Sequence, residues 1–407
     1  MIRSTNISTK FANMNKKNSL NSFIEEYQYV VKLFVDILWD IDKIRLLIPK
    51  DQTDQIKDKT WLSARGIQAA AKQASGIVRG TKRKNNQRLF IYDKLNEEGQ
   101  FKKAKKLKAI IDKNKESRPS IESICPELDS RFIKIEESKT KEFDGWLSLS
   151  SLGNKMKIKI PFKKTKHFNV LNKRGTLKNC IRLHKNQATL MFDIPENKRK
   201  DGKTLGVDIG IKNVVSCSNG FQSVEDVHGW NLAKIQKKMS LKKKESNGFK
   251  RCQNHRKNFT NWSINQINFD NVKTMNCENI KYMRKGVRTN RFMSHFVYSE
   301  IFGKLKRVCE DYGVQVKQIS PTYSSQRCSE CGWVRKSNRN GKQFKCKSCG
   351  FSCDADLNAS RNIALELPAI SRQHRLRQEN REGFYWNALG QESIVPDAQK
   401  PNFHIFL

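Results

Sequence analysis

The sequence predicts a multidomain α+β protein: a helical lobe, then a small β-barrel-like module, then an α/β domain interrupted by a short cysteine-bearing ribbon. Three observations carry the prediction. Apolar residues recur at steps of three and four from Phe23 to Ile41, the period of a buried helix face. From Met156 to Phe162 they alternate with lysines, the period of a half-buried strand. After Lys203, short apolar runs and longer helical stretches take turns, and two Cys-x-x-Cys pairs fall inside that series.

At 407 residues the chain has room for a sizeable core. Lys and Arg total 79 against 40 Asp and Glu, a formal net charge of +39. In a merely lysine-rich proteome Glu rises with Lys, and here it does not. So large an excess exceeds what solubility needs and points to a polyanionic partner, nucleic acid. No apolar run approaches the ~20 residues needed to span a bilayer, and a signal-peptide h-region is missing at the start. No membrane partner is expected, and the location expected is the cytoplasm. The cysteines number 11, an odd count. That fits a reducing compartment and a metal site better than a disulfide framework.

Residues 1–18 are polar and basic, either disordered or a first strand of the β module. A helical domain is expected over 19–129. Phe23, Tyr27, Val30, Phe34, Leu38 and Ile41 form its first apolar face, closed by Pro49. A second helix is expected from about Trp61 to Val78, and a third from about Leu89 to Ile111. Arg65, Lys72, Arg79, Lys82, Arg83, Lys84 and Arg88 give this module a basic flank. A solvated bundle face has the same composition, but with the charge of the whole chain the flank is a candidate clamp on a nucleic-acid backbone.

The β module is expected over 130–197. Lys155, Lys157 and Lys159 lie on the outer side of the strand holding Ile158 and Ile160, and are further candidate nucleic-acid contacts. Asn172 to Gly175 predicts a turn, and 180–183 and 188–192 predict strands. The α/β domain is expected over 198–324 and 353–367, with the ribbon at 325–352 between them. Its order is a strand to Asp208, a neighbour at Val214–Cys217, a long basic helix from Trp230 to Trp262, and a strand ending at Glu278. A helix face follows (Phe292, Phe296, Leu305, Val308, Tyr312) with Gly313 as its C-cap, then a strand over Val314–Ile319. Residues 368–407, with Arg372, Arg375, Arg377 and Arg381, show no period and are expected to be flexible.

Three carboxylates carry the chemistry. Asp208 ends an apolar strand in Leu205-Gly206-Val207-Asp208-Ile209-Gly210, Glu278 follows Met275-Asn276-Cys277, and Asp356 stands in Asp354-Ala355-Asp356-Leu357-Asn358-Ala359. Phosphodiester cleavage by two metal ions ~4 Å apart needs oxygen donors of this kind, one shared and one further acid per ion. Taken singly the signals are weaker. The Gly-Val-Asp-Ile-Gly run also fits a phosphate loop of actin-like ATPases, Glu278 alone reads as a solvated glutamate, and Asp354 and Asp356 both suit helix N-caps. The cysteines are more specific. Cys328 and Cys331 precede Cys346 and Cys349 by 14 intervening residues, and two such turns close a four-thiolate site. With no position left for water, that zinc is structural.

These residues, in this order, resemble the split RuvC nuclease of TnpB proteins: Gly-Val-Asp-Ile-Gly, Cys-Glu-Asn-Ile, Ser324-Ser325-Gln326-x-Cys-x-x-Cys, Cys-x-x-Cys-Gly, and Asp-Ala-Asp-Leu-Asn-Ala-Ser-Arg-Asn-Ile. TnpB proteins are transposon-encoded, RNA-guided DNA endonucleases related to compact type V CRISPR effectors. The resemblance covers residues ~204–365. It implies an RNase H-like (RuvC) domain with an inserted zinc ribbon, a helical recognition domain and a β wedge domain. It also implies that Asp208, Glu278 and Asp356 hold magnesium, two ions in all, and that Cys328, Cys331, Cys346 and Cys349 hold one zinc. The partners implied are a non-coding guide RNA and double-stranded target DNA. An apolar first strand is also implied, which the opening residues do not show. The seven histidines form no second nuclease centre, and no GxxxxGK[ST] loop is present, so no nucleotide cofactor is expected. The rivals are a compact type V CRISPR effector with the same chemistry, and an RNA-independent RuvC-like or transposase-associated protein.

Overall fold

The computed structural model describes residues 1–115, 117–139, 141–211, 213–280, 291–367, 383–387 and 392–393. Two compact units divide it, Met1–Pro195 and Glu196–Leu407.

In the first unit the order is β1 (Ile2–Ser8), α1 (Met14–Trp39), α2 (Lys50–Lys57), α3 (Ala64–Glu97), α4 (Phe101–Lys115), β2 (Glu127–Leu128), β3 (Ile133–Glu137), β4 (Gly145–Leu149), β5 (Ile158–Phe162), α5 (Lys166–Arg174), β6 (Thr176–Leu183) and β7 (Gln187–Asp193). The helix α1 buries Phe23, Tyr27, Val30, Phe34 and Leu38, and the Asn13 side chain caps it by accepting from the Lys16 amide. Pro49 does not close α1, which ends at Trp39; it stands as the N-cap of α2. The two helices expected at 61–78 and 89–111 are divided differently. α3 runs unbroken through residues 79–88, because Arg, Lys and Gln there are good helix formers that have left the core and lost their apolar period. The break comes at Gly99, whose φ of +68° suits the turn into α4.

The strands form two open sheets, β1-β7-β6-β2 and β3-β4-β5, each antiparallel. No closed barrel exists among the described residues, which corrects the barrel-like expectation. The edge strand β2 is two residues long and follows Pro126, too short to carry pairing onward, and α5 separates β5 from β6. The turn expected at 172–175 is the C-terminal end of α5. β1 pairs along its whole length with β7, Ile2 opposite Asp193 and Ser8 opposite Gln187. Only Thr5 and Ile7 of β1 are buried, so an edge strand lies inside a polar sequence.

In the second unit the order is β8 (Lys203–Asp208), β9 (Ser216–Cys217), α6 (Leu232–Ser240), α7 (Asn247–Asn265), β10 (Val272–Glu278), α8 (Arg291–Ser294), α9 (Tyr298–Tyr312), β11 (Gln315–Ile319), β12 (Trp333–Val334), β13 (Arg339–Asn340), β14 (Gln343–Lys345), β15 (Ser352–Asp354), α10 (Ala355–Ala364), β16 (Phe384–Trp386) and β17 (Glu392–Ser393). A mixed sheet of order β11-β10-β8-β9 has its first three strands parallel and β9 antiparallel. Its core includes Leu205, Val207, Val214, Cys217, Met275, Cys277, Ile301 and Leu305.

The single helix expected at 230–262 is two, because Ser246 caps α7 by accepting from the Phe249 amide. Phe292 lies in the short α8 and not on α9. Gly313 ends α9 in the left-handed region, as expected. Two small sheets complete the unit, β13-β14-β15 and β12-β16-β17. Part of the tail expected to be flexible is therefore strand, while Arg372, Arg375, Arg377 and Arg381 lie outside the described residues. Among the described residues no helix is long and apolar enough to cross a membrane.

Candidate metal centres

Asp208 and Glu278 end neighbouring parallel strands. Asn276 pairs with Gly206 and Cys277 with Val207, so the next step of the register sets Glu278 beside Asp208. Asp356 arrives from another direction, in the first turn of α10. That helix lies directly on β8, where a Cβ at Gly206 would stand 2.0 Å from the Ser360 carbonyl oxygen. Only a glycine admits so close an approach, and Asp356 sits one helical turn before Ser360.

Burial, then the charge of Glu278, then that of Asp356 push the Asp208 carboxyl well above the ordinary carboxylate range. Arg339 and Lys342 pull it back down. Burial likewise raises Glu278, against a hydrogen bond donated by the Ser324 hydroxyl to its Oε1. Asp356 is held by the hairpin β13–β14: Arg339 Nη2 lies 3.0 Å from its Oδ1, and Lys342 Nζ bonds its Oδ2. The two acids of the Asp-Ala-Asp run separate cleanly. Asp354 is the helix cap, its Oδ1 accepting from the Asp356 amide at 2.9 Å and the Leu357 amide at 3.1 Å, and Asp356 is not. Asp208 feels the charges of both other acids, though its surface is only half-buried. Asp356 is paired with Arg339 and Lys342. Among the described residues the one group whose metal-ligating atoms all lie within 4.8 Å of one another is the four cysteines, not the three acids. The oxygen donors of the acids suit a hard divalent cation.

The four cysteines of the ribbon come together. Their sulfurs all lie within 4.8 Å of one another, with Cys328 to Cys349 at 3.7 Å and Cys331 to Cys346 at 3.6 Å. A disulfide holds its sulfurs ~2 Å apart. A tetrahedral zinc with bonds of ~2.3 Å places them ~3.8 Å apart. The spacing therefore fits one zinc ion.

The basic residues of the first unit do not act as one group. Arg65, Lys72, Arg79 and Arg83 follow each other at steps of seven, seven and four along α3 and form one exposed stripe. Arg79 and Arg83 line a groove of about 870 Å³ with Gly76, Gly80, Gln87, Phe90 and the segment Asp42–Ile44. Lys82 lines the same groove, with its Nζ donating to the Ile41 carbonyl at 2.7 Å beyond the end of α1. Lys84 and Arg88 lie off the stripe, and Arg88 donates to Asn85 Oδ1 at 3.1 Å. Lys155, Lys157 and Lys159 are exposed, with Lys159 standing 5.1 Å over the Trp146 ring.

Sequence reasoning missed Ser324 and Tyr298, which bond the side chain and the carbonyl of Glu278, and the reach of Arg339 and Lys342 to Asp356. The basic composition of residues 333–345 is a signal for the last two. Ser324 opens the motif that runs into the first cysteine pair, though nothing local gives it this role, and for Tyr298 no local signal exists.

Residues 298–363 match the family model described as "Cas12f1-like, TNB domain". The chain is 44% identical over 77 residues to the CRISPR-associated endodeoxyribonuclease Cas12f1 of Sulfoacidibacillus thermotolerans, covering 19% of this chain and 18% of that one. It is 25% identical over 191 residues to the "Putative RNA-guided DNA endonuclease InsQ" of Escherichia coli (strain K12), covering 39% of this chain and 48% of that one. The chain thus spans less than half the length of these relatives. A cryo-EM structure of a Cas12f1–sgRNA–target DNA complex shares the fold, with a TM-score of 0.50 at 16% identity over 86% of this chain and 81% of that one.

Proposed function

We propose that this chain, which belongs to the group formed by TnpB proteins and compact type V effectors, is an RNA-guided DNA endonuclease of the RuvC type. The observation that supports this most is that Glu278, one register step from Asp208 on the paired strand, and Asp356, on the helix seated against β8, both act electrostatically on Asp208, in a chain that also gathers four cysteines within 4.8 Å of one another. Asp208, Glu278 and Asp356 would hold magnesium, which when bound activates water and stabilises the leaving oxygen. Glu278 is oriented by Ser324. Arg339 and Lys342, already beside Asp356, supply positive charge next to a scissile phosphate. Cys328, Cys331, Cys346 and Cys349 would hold a structural zinc that sets the hairpin bearing those two cations.

In the first unit, the stripe Arg65, Lys72, Arg79 and Arg83 follows a phosphate backbone, and Lys155, Lys157 and Lys159 offer a second basic strip. A non-coding RNA pairs with one DNA strand and so chooses the sequence, while the protein reads a short flanking motif. Purification from cells expressing the native locus, with sequencing of the bound RNA, tests this. One abundant RNA ending in a variable segment, which programmes cleavage that Asp208→Ala abolishes, is the expected result. Bulk RNA with cleavage indifferent to sequence refutes the guided reading and leaves an RNA-independent nuclease.

A further inference from the structure

We propose that the C-terminal strand β16 and the buried Arg327 are positioning elements of the cutting site, holding Ser324 and through it Glu278. This rests on the reading above that Glu278 is one of the cutting-site acids. The strand lies beyond residue 363, where the matched family domain ends.

Arg327 is only 1% exposed. Its Nε donates to the Trp386 carbonyl at 2.7 Å, and its Nη1 donates to Asn362 Oδ1 at 2.9 Å and to the Cys328 carbonyl at 3.2 Å. Asn362, on α10, donates in turn to the carbonyls of Ser324 at 2.9 Å and Arg327 at 2.7 Å. One turn earlier Asn358 donates to the same Arg327 carbonyl at 2.8 Å and accepts from the Ser329 amide at 3.0 Å. Residues 324–329 are thereby fixed to α10, the helix that carries Asp356. From this fixed segment the Ser324 hydroxyl reaches Glu278. One network therefore ties two of the three acids to a single frame.

The outer end of the frame is β16. Its Tyr385 pairs with Trp333 and its Phe384 with Val334, and the Trp386 amide donates to the Gly332 carbonyl at 3.0 Å. Phe384 and Trp386 are buried against Val334 and Leu367. The Tyr385 hydroxyl lies 2.6 Å from Ser348 Oγ, between Cys346 and Cys349, so the strand also braces a zinc turn. Gly332 has a φ of +79°, and a Cβ there would meet the Trp386 carbonyl oxygen at 2.8 Å and Arg327 Nη2 at 3.1 Å. Space at this joint is kept for the guanidinium and the strand. A buried charged donor that loses its carbonyl must find another acceptor. Without Trp386, Arg327 turns from Asn362, and Asn362 loses its hold on the Ser324 carbonyl.

The test uses the full chain loaded with its guide RNA. Arg327→Met keeps the length of the side chain and removes the donors, and Ser324→Ala removes one hydroxyl with little change in packing. Both are expected to slow single-turnover cleavage about 10- to 100-fold, the usual effect of a partner that orients a metal ligand. Affinity for guide and target stays within about twofold, and manganese binding in the guide-free chain, read by electron paramagnetic resonance, weakens. Arg327→Lys recovers part of the rate. Wild-type rates in both variants overturn the proposal. So does a loss of rate that follows a loss of guide binding, because that marks a purely structural role. Glu278→Gln separates the two levels: normal cleavage by it refutes Glu278 as a cutting-site acid, whereas its silence beside fast Arg327→Met and Ser324→Ala refutes the positioning alone.

Discussion

Replacing Gly206 with alanine puts a methyl group into the contact that brings α10 onto β8. The new Cβ would stand 2.0 Å from the Ser360 carbonyl oxygen, 2.6 Å from the Ala364 nitrogen and 3.1 Å from the Ala364 Cα. Ordinary contact begins at 3.4 Å, which leaves a shortfall of about 1.4 Å. β8 cannot give way, since β10 and β9 are hydrogen-bonded on its two sides. The helix must move instead. The backbone at Gly206 lies outside the left-handed region, so alanine adds no backbone strain and the overpacking acts alone. Overpacking of this kind costs about 1–3 kcal/mol. A shift near 1 Å of the helix bearing Asp356 costs about 100-fold in rate.

Single-turnover cleavage of guide-matched DNA, with affinity measured separately, reads the second effect, and denaturant unfolding reads the first. Cleavage falls about 100-fold while guide binding holds, and Gly206→Val falls further. Gly303→Ala is the control, because a Cβ there meets open space on α9 and gains helix propensity. If Gly206→Ala cuts at the wild-type rate and unfolds at the wild-type midpoint, the seating of α10 on β8 does not set the position of Asp356.

Other perturbations read other parts of the molecule. The folded-state pKa of Asp208 stands above its unfolded value, chiefly through burial. Its contribution to stability is therefore greatest below the unfolded pKa and falls as pH rises through the folded one. Asp208→Asn removes that loss, so in chelator at neutral pH it unfolds at a higher denaturant midpoint than wild type, and the two converge in acid; a lower midpoint at neutral pH contradicts the burial argument. Metal analysis should find one zinc per chain, lost in Cys331→Ser, and a zinc-free wild type would end the four-thiolate reading. Arg83→Ala lowers the slope of log affinity against log salt by about 0.7–0.9 with no change in stability. Lys82→Ala instead lowers stability, because its Nζ answers the Ile41 carbonyl. Equal effects from the two would mean that the stripe on α3 has no special relation to nucleic acid.

What is legible in this sequence is what local chemistry repeats. Apolar runs ending in an acid mark β8 and β10, and the spacing of the cysteines marks a metal turn, because each of these is decided within a few residues. Polar edge strands escape that reading. β1 presents Ser4, Asn6 and Ser8 because one of its faces meets solvent, and β16 is only three residues long, held by a partner some fifty positions upstream. The barrel-like expectation fails for a related reason: alternation reports that a strand is half-buried, not which strand it pairs with. The support of the site is less legible still. Ser324 and Asn362 stand in the motifs and Arg327 at the open position of one of them, but their role comes only from partners 35 to 59 positions away. Ligand chemistry is local and its support is not. Even so, the motif over 354–363 contains the support: Asp356, Asn358, Ser360 and Asn362 all belong to it and are all buried on α10, and a helix that buries so much polarity is holding something in place.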